Sequence, residues 1–214
     1  MTSLQRPNDE MANVITHGLG FLLSLAAVCI LTQRVAGQST ALVAACEIYA
    51  AALLLVYGNS TLSHLFYDVA WRQRFRTLDQ ASIFLLIAAT YTPFAVMYLD
   101  HGAWPWLLVS MWTLAALGIA RVITVRDLSR SDKFLCGLIG FLPAVGLGEL
   151  PRHAPGTVIF WIIAGGACYS LGSIFLRLSA AVRYSHALWH ILVMAGSACH
   201  YWAILLALAD HRSA

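Results

Sequence analysis

The chain has 214 residues, of which 60% are hydrophobic and only 11% charged. Soluble domains carry about 25% charged residues, so this composition excludes a soluble globular protein and points to a polytopic helical membrane protein. The formal net charge of +3 comes from basic residues in short connections between apolar stretches, which excludes a nucleic-acid-binding patch.

The first ten residues, ending in Asp9-Glu10, are polar. They lack the basic start and small-residue cleavage site of a secretory signal, so the first apolar segment is expected to be retained. Membrane spans are predicted at roughly 14–34, 41–66, 79–98, 103–122, 133–150, 156–176 and 184–208, each close to the about 20 residues that cross hydrocarbon. The predicted fold class is all-α, a single seven-helix transmembrane domain over residues 1–214 with no room for a soluble catalytic domain. Pro93 and Pro143 fall inside the third and fifth spans and predict kinks. The run Ala164-Gly165-Gly166-Ala167 in the sixth predicts close helix approach. The cysteines, Cys29, Cys46, Cys136, Cys168 and Cys199, all lie in apolar segments. They show neither metal-ligand spacing nor a loop-to-loop pairing pattern, and read as small core residues.

Orientation follows from Lys and Arg. The N-terminus and the second, fourth and sixth connections carry Arg6, Arg72, Arg74, Arg76, Arg121, Arg126, Arg130, Lys133, Arg177 and Arg183. The opposite side carries only Arg34, Arg152 and Arg212. This bias predicts a cytoplasmic N-terminus and an external C-terminus, with Trp104 and Trp106 in the outer interfacial belt.

With that topology, polar residues from four spans share one depth near the cytoplasmic side: Asn13 and His17, Ser60 and His64, Asp79, and His186 with His190. His186 and His190 are four residues apart and so lie on one helix face. Neutral imidazole is the commonest protein ligand for zinc, and three protein ligands with an open fourth position are the pattern of a catalytic site. Such an ion lowers the pKa of bound water towards about 7. Asp79 can accept that proton, and Ser60, one turn before His64, can hydrogen-bond a ligand imidazole, the water or a substrate carbonyl. Two plainer readings stay open, interfacial histidines without an ion and Asp79 as the cap of the third span. His200 lies about 15 Å further along its helix than His190 and is expected to be an interhelical hydrogen-bonding residue. Glu47 lies far from the cluster, in the outer half of the second span. His101, His153 and His211 fall in outer loops or the tail and are read as carrying no site.

Four motifs stand in order: Glu10-Met11-Ala12-Asn13-Val14-Ile15-Thr16-His17-Gly18, Ser60-Thr61-Leu62-Ser63-His64, Leu78-Asp79-Gln80-Ala81-Ser82-Ile83, and His186-Ala187-Leu188-Trp189-His190 followed by His200-Tyr201. Together they resemble the bacterial hemolysin III family, the prokaryotic branch of the progestin and adipoQ receptors (PAQR), and more distantly the alkaline ceramidases. The resemblance implies a seven-helix bundle in the bacterial plasma (inner) membrane with an intramembrane zinc near the cytoplasmic side. It implies His64, His186 and His190 as metal ligands, Asp79 as a water-holding aspartate and Ser60 as its support. The expected function is zinc-dependent hydrolysis of a lipid amide or ester, with a membrane lipid as substrate or ligand. The alternative is a non-enzymatic membrane homeostasis factor or sensor with structural zinc. A lytic pore-former, the hemolysin of the family name, is disfavoured by the lack of a continuous polar stripe.

Overall fold

The computed structural model describes residues 7–125 and 130–213, with side chains placed over 8–125 and 135–212. Arg6 and the side chains of Arg126, Arg130 and Lys133, four of the residues in the orientation argument, lie outside these limits. The described residues form helices and no strand. The elements are α1 (Pro7–Val35), α2 (Thr40–Leu65), α3 (Val69–Tyr98), α4 (Pro105–Val125), α5 (Arg130–Phe141), α6 (Gly156–Leu178) and α7 (Ser185–Ser213), with 3-10 turns at Leu142–Gly148 and Leu150–Arg152. Among the described residues six helices are long and apolar enough to cross a membrane.

Two predicted boundaries are corrected. The third span does not begin at residue 79. Asp68 caps α3, its Oδ1 accepting from the backbone N–H of Ala70 and Trp71, both at 3.0 Å. The arginines at 72, 74 and 76 make this first part look like a loop to a hydropathy reading, yet helical hydrogen bonds are local and run straight through it. Asp79 therefore sits well inside α3, and the reading of Asp79 as a helix cap is overturned. The fifth predicted span, 133–150, is also not one α-helix. It breaks after Phe141 into the 3-10 turn that holds Pro143. Proline cannot donate to the helical ladder and its ring crowds the carbonyl four residues back. Pro93, by contrast, lies inside α3 without ending it.

Helix α3 is the most enclosed element, packed against α2, α4, α5 and α7. Helix α1 joins α2 on one side and α7 on the other, and α6 lies against α7. Backbones approach closely where side chains are missing. A Cβ at Gly118 would fall 2.4 Å from the Phe84 ring, and one at Gly165 would fall 2.6 Å from the His200 ring. The small-residue run thus receives His200, whose ring hydrogen-bonds the Ile162 carbonyl of α6, the interhelical role expected of it. Deeper in the bundle, Ser197 of α7 gathers Tyr57 of α2 and Tyr169 of α6, each hydroxyl 2.8 Å from its Oγ. Glu47 takes a partner not foreseen, accepting at 2.8 Å from Thr32 of α1. Cys46 is buried as expected, but Cys29 is exposed. It shares the outer side of α1 with Met11, Ile15, Leu19 and Leu22, all more than half exposed, an apolar surface suited to lipid.

Candidate metal centre

The histidines of the fourth motif are positioned by the turn that precedes them. Tyr184 adopts φ 58°, a left-handed conformation uncommon for a bulky residue, and reverses the chain into α7. The start of α1 holds this turn, with Asp9 accepting from the Arg183 guanidinium at 3.2 Å and from the Tyr184 N–H at 3.5 Å. Ser185 Oγ donates to the Phe175 carbonyl of α6 at 2.7 Å.

His186 and His190 then meet His64 from the C-terminal end of α2. The ligating atoms of these three residues all lie within 4.8 Å of one another. Ring centroids are 5.1 Å apart for His64 and His186, 5.2 Å for His64 and His190, and 4.5 Å for His186 and His190. His190 is buried, while His64 and His186 are half-buried, so the cluster is closed on one side and accessible on the other.

The structure adds partners that sequence reasoning left without a role, all from α1. Glu10 Oε2 lies 2.8 Å from His64 Nδ1, and its Oε1 is held by Arg72 at 2.9 Å. Thr16 Oγ1 lies 3.0 Å from His190 Nδ1. The Thr16 proton is directed to the backbone carbonyls of Ala12 and Asn13, at 2.9 and 3.0 Å, which leaves the oxygen to accept from His190. Both imidazoles therefore carry their proton on Nδ1 and keep a lone pair on Nε2. A metal-ligating histidine is normally fixed in this way, its other ring N–H donated to a carboxylate or oxygen acceptor. The donor set thus fits a zinc-type ion with three protein ligands. Replacing Glu10 with Gln or Thr16 with Val is expected to weaken metal affinity by about 10–100-fold, measured by competition with a chelator of known affinity.

His17 completes the cluster in an unexpected way. Its ring stacks on His190 with centroids 3.5 Å apart and meets Tyr57 edge-on at 5.3 Å. It is buried, and among the described residues neither ring nitrogen has a hydrogen-bond partner. The signal for α1 was present in the sequence as the spacing of Glu10, Asn13 and His17 along one helix face, but spacing alone does not say which neighbour that face meets. Ser60 and Asp79 join each other, the buried serine hydrogen-bonded to the carboxylate across the α2–α3 interface. Asn59 reinforces this contact by donating to Ser82 Oγ at 2.9 Å.

A family model described as Haemolysin-III related matches residues 5–201. The chain is 36% identical over 200 residues to "Hemolysin-3" of Bacillus cereus, covering 92% of this chain and 90% of that one. It is 32% identical over 199 residues to "Hemolysin-3 homolog" of Bacillus subtilis, covering 92% and 93%. A more distant relative is the human "Monocyte to macrophage differentiation factor", 26% identical over 171 residues and covering 73% of this chain and 67% of that one. The ordered motifs, the apolar helices and a match over nearly the whole chain make this an integral membrane protein of the hemolysin III family, within the progestin and adipoQ receptors.

Proposed function

We propose that the chain is a seven-span protein of the bacterial plasma (inner) membrane that uses zinc, held by His64, His186 and His190, to hydrolyse a lipid amide or ester. The observation that carries this reading is the pair of anchored imidazoles, each with Nδ1 engaged and Nε2 left free, with Ser60 one turn of α2 before His64 and joined to Asp79 of α3. A zinc ion there would supply a Lewis acid for a carbonyl oxygen and would make water nucleophilic at neutral pH. Asp79 is the group suited to take a proton from the attacking water and return it to the leaving amine or alcohol. Ser60 fixes the orientation of that carboxylate. His17, buried with free ring nitrogens, is suited to hydrogen-bond the polar part of a lipid, and the half-buried side of the cluster gives a lipid access.

A seventh crossing is supported by the broken fifth segment. The α5 helix and the following 3-10 turn together extend about 32 Å, against about 30 Å of hydrocarbon. The segment also ends where His101 Nε2 lies 3.8 Å from Glu149 Oε1, beside the α3–α4 connection and away from His64. The Lys and Arg bias then favours a cytoplasmic N-terminus and an external C-terminus. A reporter enzyme fused after Ala214 is expected to be active only outside the cell, and a cytoplasmic signal would refute the orientation.

The second reading, a homeostasis factor or sensor in which zinc fixes helix positions, draws on the way the cluster ties α1, α2 and α7 together. The deciding experiment is metal analysis of the purified protein with a hydrolysis screen over lipid amides and lipid esters. Release of fatty acid that stops on chelation and returns with zinc is expected. A zinc-loaded protein inert towards both classes would favour the scaffold.

A further inference from the structure

A second group of metal-ligating side chains lies at the other end of the bundle. His101 belongs to the α3–α4 connection, and Glu149 and His153 flank the 3-10 turn at Leu150–Arg152 that leads to α6. By sequence position alone both histidines are loop residues. In the structure one carboxylate oxygen gathers them: Glu149 Oε1 lies 3.2 Å from His153 Nε2 and 3.8 Å from His101 Nε2. The two rings are 4.7 Å apart, and the ligating atoms of all three residues lie within 4.8 Å of one another.

Metal bonds to imidazole nitrogen and carboxylate oxygen are about 2.1 Å, so neighbouring ligands on a tetrahedral ion stand about 3.4 Å apart. The two measured separations, 3.2 and 3.8 Å, bracket that value. The other carboxylate oxygen, Oε2, is taken by Arg152 Nη1 at 2.8 Å, which turns Oε1 towards the histidines. Glu149 is largely covered, at 17% side-chain exposure, whereas His101 and His153 are 44% and 41% exposed, so an ion can enter from solvent.

We infer that His101, Glu149 and His153 form a second, solvent-accessible site for a zinc-class divalent ion, which clamps the α3–α4 connection to the segment entering α6. Two imidazoles and one carboxylate form a recognised three-ligand zinc set with an open fourth position. The site is independent of the His64, His186 and His190 centre, sharing no residue with it and lying at the opposite ends of the helices.

Full-length protein, purified in detergent and freed of any polyhistidine tag, would be stripped with chelator and titrated with zinc, with cobalt as a spectroscopic probe of four-coordinate binding. Wild type is expected to bind two equivalents. The double variant His101→Ala/His153→Ala is expected to bind one fewer, and Glu149→Gln to weaken that equivalent at least about tenfold. These side chains are largely exposed or at a connection, and unchanged helical circular dichroism would confirm folding. If the double variant binds as many ions as wild type, the inference is overturned. It is also overturned if wild type binds a single equivalent that His190→Ala abolishes. A single equivalent lost in the double variant but kept in His190→Ala would uphold the second site and remove the first.

Discussion

Replacing His190 with alanine is expected to strip the metal of the His64, His186 and His190 centre and to lower the melting temperature of the purified protein. His190 is 1% exposed, and its ring touches both other proposed ligands and stacks on His17 at 3.5 Å. The substitution removes one of three ligands and opens a void against a second buried imidazole. An ion that binds only the folded bundle stabilises it by mass action, about 4 kcal/mol when present at a thousandfold excess over its dissociation constant. His64→Ala and His186→Ala should lose the metal as well. The informative control is His200→Ala. This residue is also buried and sits over Gly165, so its loss should destabilise the protein while leaving the metal of this centre in place. Metal content, measured beside melting temperature, separates the two. Equal metal loss in His200→Ala and His190→Ala would show that the ligand assignment is wrong, and a melting temperature indifferent to confirmed metal removal would mark the ion as adventitious.

Replacing Asp79 with asparagine is expected to leave zinc and fold in place and to abolish lipid hydrolysis. The amide oxygen of asparagine can still accept the hydrogen bond from Ser60, and the three histidines do not need Asp79 to complete the ligand set. What is lost is the capacity to take a proton, a contribution of about 10²–10⁴-fold for general-base catalysis. Ser60→Ala should cost less, about 10–100-fold, because the carboxylate remains and only its orientation loosens. Activity close to wild type in a zinc-loaded Asp79→Asn protein would sink the hydrolase reading and leave the scaffold or sensor ahead.

The helices were legible because apolar runs of membrane length have few other interpretations, and the cluster was legible because imidazoles at one depth on different spans are unusual. The misread boundaries have local causes. Asp68 starts α3 under a run of arginines that hydropathy counts as loop, and Pro143 breaks a segment whose composition alone looks continuous. Partners across helices were less accessible. Periodicity places Glu10, Asn13 and His17 on one face of α1 and Thr16 at its side, but the rotation of α1 against α2 and α7, which brings Glu10 to His64 and Thr16 to His190, is set by packing. The His101, Glu149 and His153 group was invisible for a related reason. Its members are separated by some fifty residues and meet only because α5 returns the chain to the end of the bundle where α4 began.

The contact between Thr16 and His190 spans 174 positions of the chain, so α1 holds the Nδ1 proton of a proposed ligand on α7. Until α7 is inserted, α1 and α2 bring together only Glu10 and His64, and a single imidazole cannot retain the ion. Under the proposed function, metal capture would be a late event in biogenesis and would favour chains in which α1 and α7 have found each other. The loop-closure entropy grows only slowly with the intervening length, so the ordering of the chain between these partners falls mainly on the helix pairs that form along the way. A chain truncated before Ser185 should insert without metal at the His64 centre, and supplying α7 as a separate segment would ask whether the bundle can be closed from outside.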